Sequence, residues 1–97
     1  MTDVFSLHLE PSEDVLVQEL AGEAVILDLA SENYFGLNEV GTRVWQILVE
    51  HGSPERAVSI LLEEYEVDEA TLREDVQMLV DAFLASGLMH EHVDFNA

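Results

Sequence analysis

The sequence predicts an α+β domain in which a three-stranded antiparallel β-meander is followed by three α-helices. Three observations lead to this prediction. Apolar strand-like segments separated by short turns fill residues 15–37. From Asn38 onward, helical apolar spacing preceded by a suitable capping residue occurs three times. The chain has 97 residues, 48% of them hydrophobic, which is enough for one modest core.

The predicted strands are separated by two tight turns. Val15 to Leu20 forms the first strand, and the turn Ala21–Glu23 contains a glycine that can adopt a positive φ. Ala24 to Leu29 forms the second strand, and the residues Val25, Leu27 and Leu29 share one of its faces. After a second short turn, Tyr34 to Leu37 forms the third strand. Because the connections are short, consecutive strands should pair, which leaves the third strand at an edge of the sheet.

The predicted helices have recognisable starts and ends. Asn38 caps the first helix and Gly52 ends it, Ser53 caps the second, and Asp68 caps the third, which Gly87 ends. Leu88 is then placed to fold back on Phe83. The apolar positions expected to face the core are Val40, Val44, Ile47 and Leu48, then Ala57, Ile60, Leu61 and Tyr65, then Leu72, Val76, Leu79, Val80 and Phe83.

The charge balance restricts the kinds of partner that the protein is expected to bind. The chain carries 21 acidic residues against three arginines and no lysine, which gives a formal net charge of −18. Nucleic acids and anionic lipids are bound by neutralising their charge with Lys and Arg, so we expect neither a nucleic-acid nor a membrane partner. The charge could attract a basic peptide or protein surface, or it could simply serve solubility.

The sequence gives little indication of catalysis or of metal binding. The chain has no cysteine, and no glycine-rich phosphate loop or nucleophile motif is present. The pair of histidines in His90-Glu91-His92 could hold a metal, but a third ligand is missing from the segment. No cofactor is expected. With neither a basic signal-peptide start nor an apolar run of about 20 residues, we expect a soluble cytoplasmic protein. The sequence therefore favours binding over catalysis.

The third predicted strand is unusual for an edge. Exposed strand edges are commonly protected by Lys, Pro or a bulge, whereas Tyr34 to Leu37 offers Tyr, Phe, Gly and Leu. Either another part of the chain, such as residues 4–10, covers this edge, or a binding partner does.

A secondary stripe runs along the third predicted helix, beside its core-facing residues. Its members recur at helical spacing beside the core stripe and are Thr71, Asp75, Met78 and Ala82. A flexible Met among small residues beside a carboxylate could line an adaptable apolar groove with one polar anchor. The alternative is that Met78 and Ala82 belong to the margin of the core.

Several segments together resemble the PqqD family. The resemblance covers about residues 12–89 and includes a Tyr-x-x-Leu-Asn element followed by Gly and Trp. The segments are Val25-Ile26-Leu27-Asp28-Leu29, Asn33 to Gly41, Val44 to Leu48, Leu61 to Asp68, Asp75-Val76 and Gly87-Leu88. The resemblance implies a winged-helix-like domain that recognises the leader segment of a ribosomally synthesised precursor peptide (a RiPP recognition element). With the ambiguous strand pattern before Pro11 and the polar C-terminal residues, the predicted organisation is an N-terminal arm or extra strand (1–13), a peptide-recognition domain (14–89) and a flexible tail (90–97).

The resemblance also implies a binding mode. The leader adds as a further strand to the edge of the third strand and packs on the third helix, so the protein binds without catalysis. Backbone contacts would fall on Asn33, Tyr34, Phe35 and Gly36. The facing helix would contribute Asp75, Met78, Leu79 and Ala82, with Asp75 as the polar or cationic contact.

Two pathways and two unrelated functions remain open. The family includes proteins that present lasso-peptide precursors to a leader peptidase, which we favour, and chaperones that serve a radical SAM enzyme in pyrroloquinoline quinone synthesis. The rivals of another class are an acidic winged-helix transcription factor and a scaffold whose open edge pairs with its own copy. The oligomeric state expected is a monomer or a weak or domain-swapped dimer.

Overall fold

The structure is a computed structural model that describes residues 3–92. In chain order its elements are a 3-10 turn (Val4–Ser6), β1 (Leu9–Pro11), β2 (Val15–Leu20), β3 (Glu23–Asp28), β4 (Asn33–Leu37), α1 (Glu39–His51), α2 (Pro54–Glu64), α3 (Glu69–Ala85) and β5 (Met89–Glu91).

The predicted fold class is confirmed. Strands β2, β3 and β4 form an antiparallel meander in that order, and three helices follow it. Leu16 lies opposite Leu27, and Leu27 lies opposite Tyr34, which sets the register across all three strands. The β2–β3 turn contains Ala21 and Gly22, with φ values of 56° and 82°. The third predicted strand is therefore β4, at one edge of the sheet.

The chain ends form a second, two-stranded sheet. Strand β1 pairs antiparallel with β5, and Leu9 and Met89 are both buried in the core. The backbone N–H of Leu9 also donates to the carbonyl oxygen of Gly52, at 2.7 Å. The N-terminal segment therefore pairs with the C-terminal strand and does not cover β4. His90 and Glu91 were expected in a flexible tail but belong to β5; residues 93–97 of that tail lie outside the described part.

Each helix begins at the residue that the sequence predicted. A side-chain oxygen at each N-cap accepts a hydrogen bond from the backbone N–H three residues later, at 2.8 to 3.1 Å; the caps are Asn38, Ser53 and Asp68. Gly52 ends α1 in the left-handed conformation. At the end of α3, the N–H of Leu88 donates to Phe83 O at 2.9 Å, which is the predicted Schellman arrangement.

The core lies between the inner face of the meander and the three helices. The rings of Trp45 and Phe83 meet edge to face with centroids 5.1 Å apart, which joins α1 to α3. Thr42 is the buried polar residue of this region: its hydroxyl accepts from Ala24 N at 2.9 Å and donates to Leu37 O at 3.3 Å. This hydroxyl fastens the start of α1 to both β3 and β4.

The apolar stripe of the second predicted strand faces away from the helices. Ala24 and Ile26 are the buried residues of β3, whereas Val25 and Leu29 are about half exposed. The reason is that Thr42 and α1 pack over the face that carries Ala24 and Ile26. The meander thus has an inner face that α1 covers at β3 and β4, and an outer face that carries apolar side chains.

In the part of the chain that the structure describes, we find no helix whose length and hydropathy would suit a membrane span.

Two arginines connect the helices through ion pairs. Arg43 of α1 binds Glu64 of α2 through the Nη2–Oε2 contact of 2.6 Å, and Arg73 of α3 binds Glu55 of α2 at 2.7 Å. Hydrogen bonds from Arg43 lower the pKa of the Glu64 carboxyl below its usual range. Because the folded-state pKa is lowered, the pair stabilises the fold at neutral pH and loses its effect as the pH falls through that pKa.

Glu64→Gln is therefore expected to lower the melting temperature at pH 7 by up to about 5 °C, since partly exposed ion pairs contribute ~0–1 kcal/mol. This difference should shrink as the pH falls through the lowered folded-state pKa of Glu64, and it should vanish once Glu64 is protonated in both states. The matched control is Glu63→Gln, whose carboxylate makes no ion pair with the described residues. Thermal unfolding followed by circular dichroism from pH 2.5 to 7 makes the comparison. An equal effect of Glu64→Gln at both ends of this pH range would contradict the stabilising role of the Arg43–Glu64 ion pair.

Candidate peptide-binding site

The outer edge of β4 carries unpaired backbone groups. Within residues 3–92, β4 pairs with β3 on one side only. In an antiparallel ladder, successive residues direct their N–H and C=O groups to alternate sides. The register therefore determines which residues of β4 present hydrogen-bonding groups to solvent.

Two hydrogen bonds fix this alternation. The N–H of Leu29 donates to Asp14 O at 2.8 Å, on the β2 side, so the odd-numbered residues of β3 face β2. The N–H of Ala24 points the other way, to the Thr42 hydroxyl beside β4. The even-numbered residues of β3 therefore bond to β4, through their partners Asn33, Phe35 and Leu37.

Tyr34 and Gly36 consequently direct their backbone groups to the open edge. Their side-chain positions lie on the outer face, where the Tyr34 side chain is 73% exposed. A Cβ built on Gly36 would meet no atom within 4 Å. The side chain of Phe35 packs on the core instead. This edge can thus accept an additional strand through at least two residues.

An open groove lies between the first turn of α1 and α3. Its volume is about 460 Å³, and it is lined by Asn38, Val40, Gly41, Asp75, Met78, Leu79 and Ala82. Met78 is 69% exposed, so its thioether is free to adapt to a bound chain. Gly41 leaves room in the α1 wall of the groove, since a Cβ there would crowd Asn38 Oδ1 at 3.3 Å. Asn38 follows β4 directly, so the groove begins where the open edge ends.

A smaller pocket of about 90 Å³ continues from this groove. It is mainly apolar, and its lining shares Val40 and Asp75 with the groove; the other lining residues are Leu61, Tyr65, Val67, Thr71 and Leu72. An aliphatic side chain of a bound peptide would be surrounded by apolar atoms there. Asp75 stands at the junction of the two cavities.

Asp75 is an exposed carboxylate with no ion-pair partner among residues 3–92. The two arginines that bridge the helices are occupied by Glu64, Glu55 and Glu69. A cationic or hydrogen-bond-donating group in the groove would therefore find Asp75 available, in a protein whose charge already attracts cations.

The predicted site residues occupy three different environments. Asp75, Met78, Leu79 and Ala82 line the groove, and Tyr34 and Gly36 carry the open backbone groups. Asn33 and Phe35 use their backbone to pair with β3. Sequence reasoning missed Asn38, Val40 and Gly41 as groove residues. The signal was available, because a helix that starts directly after an edge strand must place its first turn beside that edge.

Histidines in and beside the paired strands β1 and β5 form a local cluster of a different kind. His92 Nδ1 lies 2.8 Å from Glu10 Oε2, and the His8 and His92 rings meet edge to face at 5.3 Å. The described residues contain no group of three or more His, Cys, Asp or Glu side chains suited to holding a metal ion. These contacts join the segment of β1 to the segment of β5.

The sequence matches the model of a known protein family. The model described as Coenzyme PQQ synthesis protein D (PqqD) matches residues 23–89, which is more than half of the chain. The chain belongs to the PqqD family. The matched range includes β3, β4 and all three helices, and hence both walls of the groove in this PqqD-family protein.

Two solved structures resemble this PqqD-family protein over most of its length. TbiB1 in complex with the TbiA(beta) leader peptide is 33% identical, with a TM-score of 0.79 over 88% of this chain and 99% of that chain. A lasso peptide synthetase B1 complexed with the leader peptide is 25% identical, with a TM-score of 0.77 over 86% of this chain and 98% of that chain. Among curated protein sequences there is no significant match.

Proposed function

We propose that this protein binds the leader segment of a ribosomally synthesised precursor peptide and delivers it, without catalysis, to a processing enzyme. The observation that carries the proposal is the open β4 edge, where Tyr34 and Gly36 present backbone groups beside an apolar groove. Support also comes from two relatives of similar fold that are complexes with leader peptides.

The leader adds as a strand next to β4 and packs its side chains into the groove. Backbone hydrogen bonds to Tyr34 and Gly36 supply affinity that does not depend on sequence, and the groove selects the side chains. Asp75 receives a cationic or donating group of the leader, while Met78, Leu79 and Ala82 contact its apolar side chains. Ordering a flexible peptide costs free energy, so a few buried anchors must offset it.

The processing enzyme that we favour is the leader peptidase of a lasso-peptide pathway. The two leader complexes that this chain resembles are a lasso peptide synthetase B1 and TbiB1. A second candidate, favoured by the description of the matching family model, is a peptide chaperone for a radical SAM enzyme in coenzyme PQQ synthesis. Titrating the protein–leader complex with each purified enzyme encoded beside this gene distinguishes the two.

The direct test is a titration of the protein with the leader of the short precursor encoded next to this gene. Fluorescence anisotropy should show saturable binding with a Kd of about 1 μM or tighter, corresponding to about −8 kcal/mol. The TbiA(beta) leader serves as a second probe. No binding by a folded sample would contradict the proposal, and the scaffold alternative would then take its place.

Met78→Asp is expected to weaken leader binding by about tenfold or more, because it places a charge where apolar side chains of the leader must be buried. Met78 is largely exposed in the free protein, so the fold should tolerate the change. Gln77→Asp adds the same charge at an exposed neighbouring position of α3 that does not line the groove. Equal losses in both variants would show that the net charge, and not the groove, governs binding.

A further inference from the structure

We propose that the outer face of the meander docks a protein partner whose contact surface is apolar and bordered by Lys and Arg. Under the proposed function, on which this inference rests, that partner is the processing enzyme that receives the leader. This surface, the outer apolar face, consists of Leu16, Leu20, Val25, Leu27 and Tyr34.

The register brings these side chains together. Leu16, Leu27 and Tyr34 stand in one row across the three strands, because directly paired residues point to the same face. Gln18, Val25 and Gly36 form the next row, and Leu20 stands opposite Glu23. The outer apolar face is therefore continuous from β2 to β4.

Four of these five side chains are exposed, and Leu27, in the middle of the face, is partly buried. Leu20 is 81% exposed, Leu16 56% and Val25 46%, whereas Ile26 on the inner face is fully buried. Helix α1 packs on the inner face, and no described helix covers the outer one. A contiguous exposed apolar surface of this kind is typical of an interaction site.

The charges around the face select the kind of partner. Residues 14–37 contain no Arg, Lys or His. Of their five acidic side chains, Glu19 and Asp28 alternate to the inner face, where Glu19 accepts a hydrogen bond from Gln46 of α1. The other three stand at the strand ends and turns that border the outer apolar face and are Asp14, Glu23 and Glu32. All three arginines lie on the helices. A second copy of this chain would bring acidic borders together, which is unfavourable, whereas a border of Lys and Arg would be complementary.

The position of the face is compatible with simultaneous leader binding. The leader groove lies between α1 and α3, on the side of the sheet that the helices cover. The outer apolar face lies on the opposite side and meets the open edge at Tyr34. A partner docked there would touch the edge of the bound leader, so the enzyme would receive a leader already held in an extended form.

The test uses Leu20→Asp, measured for binding to the purified leader peptidase encoded beside this gene and, separately, to the leader. Leu20 is almost fully exposed, so the fold should persist. Val49→Asp adds the same charge at a half-exposed apolar residue of α1 that lies outside both the outer apolar face and the leader groove. Surface plasmon resonance at 50 and 300 mM NaCl gives the peptidase affinity.

We expect Leu20→Asp to weaken peptidase binding at least about tenfold while leader affinity stays at the wild-type value and Val49→Asp changes neither. Wild-type binding should weaken at the higher salt concentration because the border is acidic. The inference is overturned if Leu20→Asp binds the peptidase like the wild type, if the wild type does not bind it, or if sedimentation shows a tight dimer that Leu20→Asp dissociates. Failure of the wild type to bind the leader would instead refute the proposed function. The peptidase measurement would still decide whether the outer apolar face is a docking surface.

Discussion

Gly36→Pro is expected to weaken leader binding by about 10- to 100-fold, the largest effect on binding among the single changes considered. The N–H of Gly36 points to the open edge, so proline removes a donor that the added strand would use. The ring also occupies the space that the leader backbone needs. Because this N–H is not used in pairing with β3, and because proline is tolerated on edge strands, the fold should survive.

The matched control is Gly36→Ala, which retains the N–H. A Cβ at this position has open space around it, and the backbone φ of Gly36 is not in the left-handed region. The alanine variant should therefore bind the leader within about twofold of the wild type. Calorimetry with both variants measures the affinities, and circular dichroism checks that each is folded. Wild-type affinity in a folded Gly36→Pro variant would be incompatible with strand addition at β4.

Gly52→Ala is expected to produce the largest loss of stability, about 2–4 kcal/mol in the free energy of unfolding. Gly52 has φ +74° at the end of α1, a conformation that disfavours any Cβ. The added Cβ would also lie 2.5 Å from the His8 ring and 2.9 Å from Leu9 O. Since Leu9 N–H bonds to Gly52 O, the N-terminal segment cannot move away without losing this hydrogen bond.

Gly87→Ala separates the conformational cost of a Cβ at positive φ from the cost of its steric contacts, the two causes of the stability loss expected for Gly52→Ala. Gly87 has a similar φ of +78°, but a Cβ there would meet nothing within 4 Å. It should therefore cost only the conformational term, about 1 kcal/mol. Urea unfolding of both variants provides the comparison. If Gly87→Ala proves as destabilising as Gly52→Ala, then the packing of the N-terminal segment on Gly52 contributes little.

The course of the chain from β2 to the end of α3 could be predicted from the sequence because its signals are local. Short turns force consecutive strands to pair, and Asn38, Ser53 and Asp68 satisfy the first N–H groups of the helices that follow them. The edge position of β4 followed from the same local reasoning. The groove residues of α3 followed from helical spacing together with the family resemblance.

The features that were not predicted depend on contacts between distant parts of the chain. Pairing of β1 with β5 joins residues about eighty positions apart. No short turn connects the two segments, so no local signal predicts that they pair. A period of two defines two faces of a strand without saying which is covered, so the exposure of Val25 could not be read from its spacing. The same ambiguity hid which backbone groups of β4 point outward.

The measurement that tests the central claim most directly is amide hydrogen exchange of the free and leader-saturated protein, followed by NMR. In the free protein the amides of Tyr34 and Gly36 should exchange rapidly, while that of Phe35, which bonds to β3, should already be protected. Saturation with the leader should slow exchange at Tyr34 and Gly36 by about tenfold or more and leave Phe35 unchanged. If the leader binds while Tyr34 and Gly36 keep exchanging at their free rates, then it does not add to β4 and the account of this site is wrong.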